Sequence, residues 1–431
     1  MKKIIIILVI LSFYFVSLVL FGALVRHVAN KGPYSNNIFA KVADNLAEIP
    51  SNIKNNFLNH DLAVKDSNSI DRRKKNLGLK FYFKENKKKE FILFSKYFDD
   101  EKIYKLQLFD VYNNSILHTW PHEDVNKMFK GDVGEVPRKY TYEHSMLLAN
   151  GDVLISNGKQ PVVRIDPCSN IVWKSTVLSH HSQELDHEKN IWVPIYLSEK
   201  KIIHGKSIIH DGLAKIDTST GDTLYQKSLV EIMLENNLFD LIGNSYSGKN
   251  PLHLNDIQPV LKDGKFWKKG DIFLSMRNIS LVMLYRPSTN KILWYKFGPW
   301  RHQHDVDIIN SNTIAIFNNN THLELKSVNN NSNIIEYNFE KNETKIIFEE
   351  LFKKNKIETY YEGLFEIINE NEIFVEEQEN GRLLKGNKLG NIIWEYIWDA
   401  RFKWSRLYNS NNFLRFGNLK ETINKIINKQ C

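Results

Sequence analysis

Four histidines, His144, His181, His253 and His304, open similar stretches of the chain, and Arg277 follows an apolar run in Ser275-Met276-Arg277-Asn278. An imidazole has an ordinary pKa of about 6.5, so near neutral pH its free nitrogen can attack an electrophile or exchange a proton. A guanidinium is a planar, permanent cation whose donors fit the oxygens of sulfate, phosphate or carboxylate. Together these groups suit transfer of an oxyanion between oxygens, provided that the fold gathers them. Three or four converging imidazoles would also suit zinc or copper, although a guanidinium among them would repel the cation. His180 and His302 adjoin members of the set and are expected to lie outside it, while Trp300, Tyr360 and Tyr361 are candidate pocket walls.

The elements that must position these residues recur. One copy runs over 143–156 with an Asn150-Gly151-Asp152 turn, then Val163-Arg164-Ile165-Asp166 and Asn170-Ile171-Val172-Trp173. Others open at His180-His181, at His253-Leu254-Asn255, at Gln303-His304-Asp305 and at Tyr361-Glu362-Gly363, and a degenerate copy covers 91–120, making six. Each copy reads as about four short strands separated by turn residues, a unit that cannot bury its own apolar faces and must stack on its neighbours. The expected fold is therefore all-β, a six-bladed β-propeller, with a two-domain sandwich as the plainer alternative. Spacings of 37 (144 to 181), 72 (181 to 253), 51 (253 to 304) and 58 (304 to 362) are uneven, so insertions such as 231–250 are expected. If each opening segment leads into an innermost strand, residues far apart in sequence meet at one mouth of the channel.

The chain of 431 residues is 42% apolar and 12% aromatic, enough for a sizeable core. Its net charge of +8 is small for the length, with basic residues interleaved among acidic ones as in Lys87-Lys88-Lys89-Glu90. That disfavours nucleic acid as a partner, though a basic linker could touch anionic lipid. From Ile4 to Val25 there are 22 residues without a charge, preceded by Lys2 and Lys3 and followed by Arg26. This is long enough to cross a bilayer and longer than the apolar part of a cleaved leader, so a retained helix with the rest of the chain across the membrane is expected. The expected organisation is an anchor at 1–26, a polar tether at 27–89 with a charged patch at 71–75, a propeller at 90–410 and a C-terminal tail at 411–431. Cys168 and Cys431 lie 263 positions apart and form no metal-type pair; free thiols are the expectation, with a disulfide between them as the alternative.

The series His180-His181-Ser182-Gln183-Glu184-Leu185, His253-Leu254-Asn255-Asp256-Ile257, Leu274-Ser275-Met276-Arg277-Asn278, Trp294-Tyr295-Lys296-Phe297-Gly298, and Gln303-His304-Asp305-Val306 with Ile316-Phe317-Asn318-Asn319 resembles the bacterial arylsulfotransferase family. The likeness covers roughly residues 140–400. It implies a six-bladed propeller that moves a sulfuryl group from an aryl sulfate to a phenol, with no cofactor, no metal and no nucleotide sulfate donor. It implies His304 as nucleophile, His181 and His253 as assisting histidines and Arg277 as the sulfate-binding residue. Known members are periplasmic, which with the anchor implies a single-pass protein of the bacterial inner membrane working on the periplasmic side. Three features depart from the family: Asp186-His187-Glu188-Lys189-Asn190 stands where a Pro-Asn-Gly turn is usual, the cysteine pair of well-known members is missing, and an anchor and tether replace a leader and an N-terminal β domain. A different class of function, a non-catalytic anchored propeller binding a protein or glycan, would not require the arginine and histidine set.

Overall fold

The computed structural model describes residues 2–29, 37–43, 45–47, 49, 77–83, 89–98, 100–120, 141–199, 201–203, 206–243, 250–321, 331–400, 402–410 and 417–431. The charged patch expected at 71–75 lies outside them. Two units are present, Met1–Asp71 and Arg72–Cys431. In the first, helix Lys2–Ala29 carries a largely apolar stretch of 22 residues from Ile5 to Arg26, none of its described residues buried. At 1.5 Å per residue that stretch is about 33 Å long, and it is apolar on every side, as a helix in hydrocarbon must be and a surface helix is not. A leader sequence would have the same look. A second helical stretch occupies 38–43.

The second unit is built almost wholly from antiparallel strands. Glu90–Phe98, Ile103–Asp110 and Ser115–Trp120 form a sheet whose inner edge is completed by Arg406–Asn409, brought from near the other end of the chain. Glu143–Leu147, Val153–Ser156, Gln160–Ile165 and Ile171–Ser179 form a meander, as do Glu184–Leu185, Ile191–Tyr196, Asp211–Ile216 and Thr223–Ser228. Four-stranded sheets follow: Leu254–Pro259, Ile272–Met276, Leu281–Arg286 and Lys291–Phe297, then His304–Asn310, Thr313–Asn318, Asn333–Asn338 and Glu343–Ile347. The last group, Leu364–Ile367, Glu372–Glu377, Arg382–Asn387 and Ile392–Ile397, takes Gly78–Phe81 as a fifth strand on its outer edge.

The expectation of six separate four-stranded blades is not met by the hydrogen bonding. Ile195 and Tyr196 pair with Ser179 and Leu178, which fuses the two meanders into one eight-stranded sheet beside four sheets of four or five strands. The packing is nevertheless propeller-like. Each core cluster is shared by two successive strand groups, for example Phe273, Val282 and Leu284 against Val306, Ile314 and Ile316. The series closes on itself where Ile92 and Phe94 of the first sheet meet Phe374, Leu383 and Trp394 of the last. Sequence explains the gradient within a sheet. The run Ile272–Met276 is buried on both faces, whereas Lys291–Phe297 alternates exposed and half-buried positions as an edge strand facing water should. Gly221, with a φ of +83°, is demanded by packing, since a Cβ there would lie 2.7 Å from the Trp173 ring.

Three expectations are corrected. The tether at 27–89 contains the strand Gly78–Phe81, stitched to Trp394, Glu395, Tyr396 and Ile397. The tail at 411–431 contains helix Leu419–Ile427, capped by the Asn418 side chain, with Leu419, Thr422, Ile423 and Ile426 buried at helical spacing against the core of the first two strand groups. Cys168 and Cys431 are bonded, with Cα atoms 5.4 Å apart. Separation along the chain is no guide to pairing once that helix has carried the last residue back to the turn at Cys168.

Candidate active site

The segments that open the strand groups carry a shared backbone irregularity. His144, His181 and His253 have φ of 49°, 55° and 57°, and His302 and Trp404 have 48° and 51°. Residues with a Cβ rarely adopt this left-handed conformation, and its recurrence where the histidines stand marks a constraint that the surrounding structure maintains. Neighbouring inner segments are fastened by side chains that accept backbone N–H groups. Asp211 Oδ2 takes Leu254 N at 3.1 Å, Ser182 Oγ takes Ile257 N at 3.1 Å, Asp256 Oδ2 takes Val306 N at 2.9 Å and Asp305 Oδ2 takes Phe365 N at 2.9 Å. Arg277 closes strand Ile272–Met276 and donates its own N–H to His253 O at 3.0 Å.

The structure brings all five of the chemistry-bearing residues together. The rings of His181 and His253 meet edge to face at 4.8 Å between centroids, and His144 stacks on Trp404 at 4.5 Å, with His181 5.8 Å from the same indole. Arg277 is buried, its Nη1 donates to Asn278 Oδ1 at 3.0 Å, its Cζ lies 5.7 Å from the centre of the Tyr361 ring, and its Nε has no hydrogen-bond partner. His304 Nδ1 lies 2.8 Å from Asn319 Oδ1. The Asn319 amide is itself oriented, because its Nδ2 donates to Thr359 O at 3.0 Å and Glu362 O at 2.8 Å. Oδ1 must then accept, so Nδ1 of His304 carries the proton and Nε2 carries the lone pair. That Nε2 is buried without a hydrogen-bond partner. At His253 the sense is reversed: Asn250 Nδ2 donates to Nδ1 at 2.6 Å, which leaves the proton on Nε2.

Burial, and then the Arg277 guanidinium, push His304 down to about 3. Burial and Arg277 likewise hold His253 well below the ordinary histidine value, and burial with the crowding of His253, His180 and His304 does the same to His181. His144 is held well below it by burial, then Arg406, His304 and Lys403. At neutral pH the cluster is thus a set of uncharged imidazoles beside a fixed cation, able to present both a lone pair and N–H donors.

His180 belongs to the cluster, contrary to expectation: its Nδ1 lies 2.7 Å from Nδ1 of His181, and its ring stacks on Tyr196 at 4.0 Å. His302 is buried beside the set, with Nδ1 3.0 Å from Thr321 O. Of the aromatic candidates, Trp300 lies in the core with its Nε1 donating to Ser280 O at 3.0 Å, Tyr360 offers a backbone oxygen toward Arg277, and Tyr361 is exposed. Asn319 stands in the motif that follows His304 but the sequence assigns it no role there, and Asn250 and Trp404 carry no sequence signal for these contacts, since their partners are distant in the chain or set only by the fold. Among the described residues no three His, Cys, Asp or Glu side chains are grouped to hold a metal ion. An axial cavity of about 650 Å³, lined by Glu184, Asp305, Phe365, Arg406 and Tyr408, includes His144 but not His181, His253, His304 or Arg277.

The family model described as Arylsulfotransferase (ASST) matches residues 144–399, a span that holds all four histidines and Arg277. No curated protein matches the chain. Among solved structures, a protein of unknown function from Bacteroides caccae is similar in fold, with a TM-score of 0.50 and 8% identity over 74% of this chain and 99% of the other. With a family match over more than half of its length, the chain belongs to the arylsulfotransferase family.

Proposed function

We propose that the protein is an aryl-sulfate sulfotransferase that passes a sulfuryl group from an aryl sulfate to a phenol through a sulfohistidine at His304, without a nucleotide sulfate donor. The observation that carries this reading is the His304 Nε2 lone pair, unpartnered, held in its tautomer by Asn319 and lying in the field of Arg277. Nε2 attacks sulfur, an N–S bond forms, and the S–O bond to the aryl group breaks with its electron pair leaving on the aryl oxygen. That oxygen accepts a hydrogen bond from a neutral imidazole, for which the Nε2–H of His253 is the best placed by tautomer. In the second half the acceptor phenol loses its proton as its oxygen takes the sulfur, and the N–S pair returns to His304. The departing aryl oxide takes a proton from water after the first half, the acceptor phenol gives one to water in the second, and the cycle balances. Sulfuryl transfer, like phosphoryl transfer, spreads charge over peripheral oxygens, so Arg277 is the main electrostatic stabiliser and His181 the second imidazole donor.

For the frame of the site, the fused sheet is read as two four-stranded blades bridged at Ile195 and Tyr196, giving six blades in all. The residues before 77 are read as an anchor and tether that hold the enzyme on the periplasmic face of the inner membrane. A disulfide suits that oxidising compartment better than the cytosol. The test uses 4-nitrophenyl sulfate as donor and a simple phenol as acceptor. Release of nitrophenol in wild type, with at least about a thousandfold loss in His304→Asn and an unchanged melting temperature, is expected. Equal turnover in the variant would remove His304 from the mechanism.

A further inference from the structure

We propose that the Cys168–Cys431 disulfide is a redox clasp that seats the closing segment 402–409 against the imidazole cluster. This segment does two things at once. Strand Arg406–Asn409 supplies the inner edge of the first sheet, pairing with Glu90, Phe91, Ile92 and Leu93, and so closes the ring of strand groups. It also lends side chains to the site. Trp404 stacks on His144 and approaches His181, and Arg406 Nη2 donates to Gln183 O at 2.5 Å and Glu184 Oε1 at 2.8 Å, two residues that follow His181 in the chain.

The C-terminal helix Leu419–Ile427 backs the segment at Tyr408, while Glu376 accepts Trp404 N and Ser405 N and Lys403 pairs with Glu362 nearer the axis. Leu419, Ile423 and Ile426 of the helix share a core with Leu147, Ile165 and Tyr408, and Thr422 Oγ donates to Ala149 O at 2.8 Å. The last residue of the chain is then bonded to Cys168, in a turn fixed by Asp166 Oδ1, which accepts Cys168 N at 2.9 Å and Asn170 N at 2.8 Å. Covalent closure therefore runs from the second strand group, through the helix, to the strand that carries Arg406 and the residue Trp404. Cys431 is exposed, so a soluble dithiol reaches the bond. A dithiol thiolate attacks one Sγ, the Sγ–Sγ bond breaks, two electrons pass to the protein and the reagent leaves as its cyclic disulfide. Two protons complete the Cys168 and Cys431 thiols. With the clasp open, the helix is retained only by its packing and the Thr422–Ala149 hydrogen bond, and local opening of the segment becomes easier.

The test compares full-length protein in detergent, oxidised and after dithiothreitol, with a Cys168→Ser/Cys431→Ser variant. Thiol titration follows the bond, hydrogen exchange follows 402–409 and 419–427, and 4-nitrophenyl sulfate turnover follows the site, this last arm resting on the sulfuryl-transfer reading. Reduction is expected to speed exchange in both segments about tenfold and lower turnover at least about fivefold, with recovery on reoxidation. The serine variant is expected to resemble reduced wild type and to ignore the reagent. Unchanged exchange at 402–409 on reduction, or an equal response of the serine variant, overturns the clasp. An oxidised protein without turnover refutes the sulfuryl-transfer reading instead, and the exchange arm then judges the clasp alone.

Discussion

His304 depends on a neighbour for its reactivity. Asn319 fixes which ring nitrogen bears the proton through a chain of hydrogen bonds ending at Thr359 O and Glu362 O. Replacing Asn319 with Ala frees the imidazole to rotate and to place its proton on Nε2, where no attack is possible. Turnover is expected to fall about a hundredfold with KM little altered, measured by steady-state kinetics on 4-nitrophenyl sulfate. The downward shift of His304 to about 3 makes a second expectation. The nucleophile stays unprotonated down to acid pH, so the burst of nitrophenol release should be level from about pH 5 to 8 and fall only below that. A half-point near 6.5, the ordinary histidine value, would show that the ring is neither buried nor influenced by Arg277 as described.

Between strands and sheets, the closure of the ring is the feature with the sharpest energetic consequence. Lys385 on Arg382–Asn387 is fully buried, with Nζ 2.9 Å from Glu90 Oε1 of the first sheet and 3.1 Å from Glu372 Oε2 of its own. Trp394 Nε1 donates to the other Glu90 oxygen at 3.2 Å. Removing the cation alone leaves the buried Glu90 carboxylate facing the half-buried Glu372 without compensation. Lys385→Ala is therefore expected to destabilise the protein by about 3–5 kcal/mol, read from urea unfolding, because an uncompensated buried charge costs more than a pair contributes.

Taken over the entire molecule, two sets of buried groups pull stability in opposite directions with pH. His180 and His304 are pushed from 6.5 down to about 3, chiefly by burial, so the folded state holds fewer protons than the unfolded state between those values. Their contribution is present above 6.5 and is lost as pH falls toward 3. Asp211 and Glu376 are pushed by burial up to about 7, so the folded state holds more protons than the unfolded state from about 4 to 7. Their contribution is present at low pH and is lost as pH rises through 7. From about pH 4.5 to 6.5 the two sets offset. A melting temperature that is level in that window, lower by pH 3.5 and lower again by pH 7.5 is expected from a thermal scan series. A monotonic rise from pH 4 to 8 would mean that the carboxylic acids are ionised in the fold.

The sequence alone determined the strand content, the turn positions, the apolar N-terminal helix and the identity of the residues that gather at the site. These are local: alternation, glycine turns, the length of an apolar run and a recurring histidine each leave their mark within a short window. The grouping of His144, His181, His253 and His304 was legible because repetition puts equivalent positions at equivalent places, whereas Arg277 joined them only through the resemblance to the arylsulfotransferase family. Tertiary structure alone decided the tautomer of His304, the entry of His180 into the cluster, the stacking of Trp404 on His144, the fusion of two meanders and the Cys168–Cys431 bond. Each is a contact between residues whose separation along the chain carries no information about their distance in space. In a ring whose last strand completes its first sheet, packing of the two ends against each other settles what no window of sequence contains.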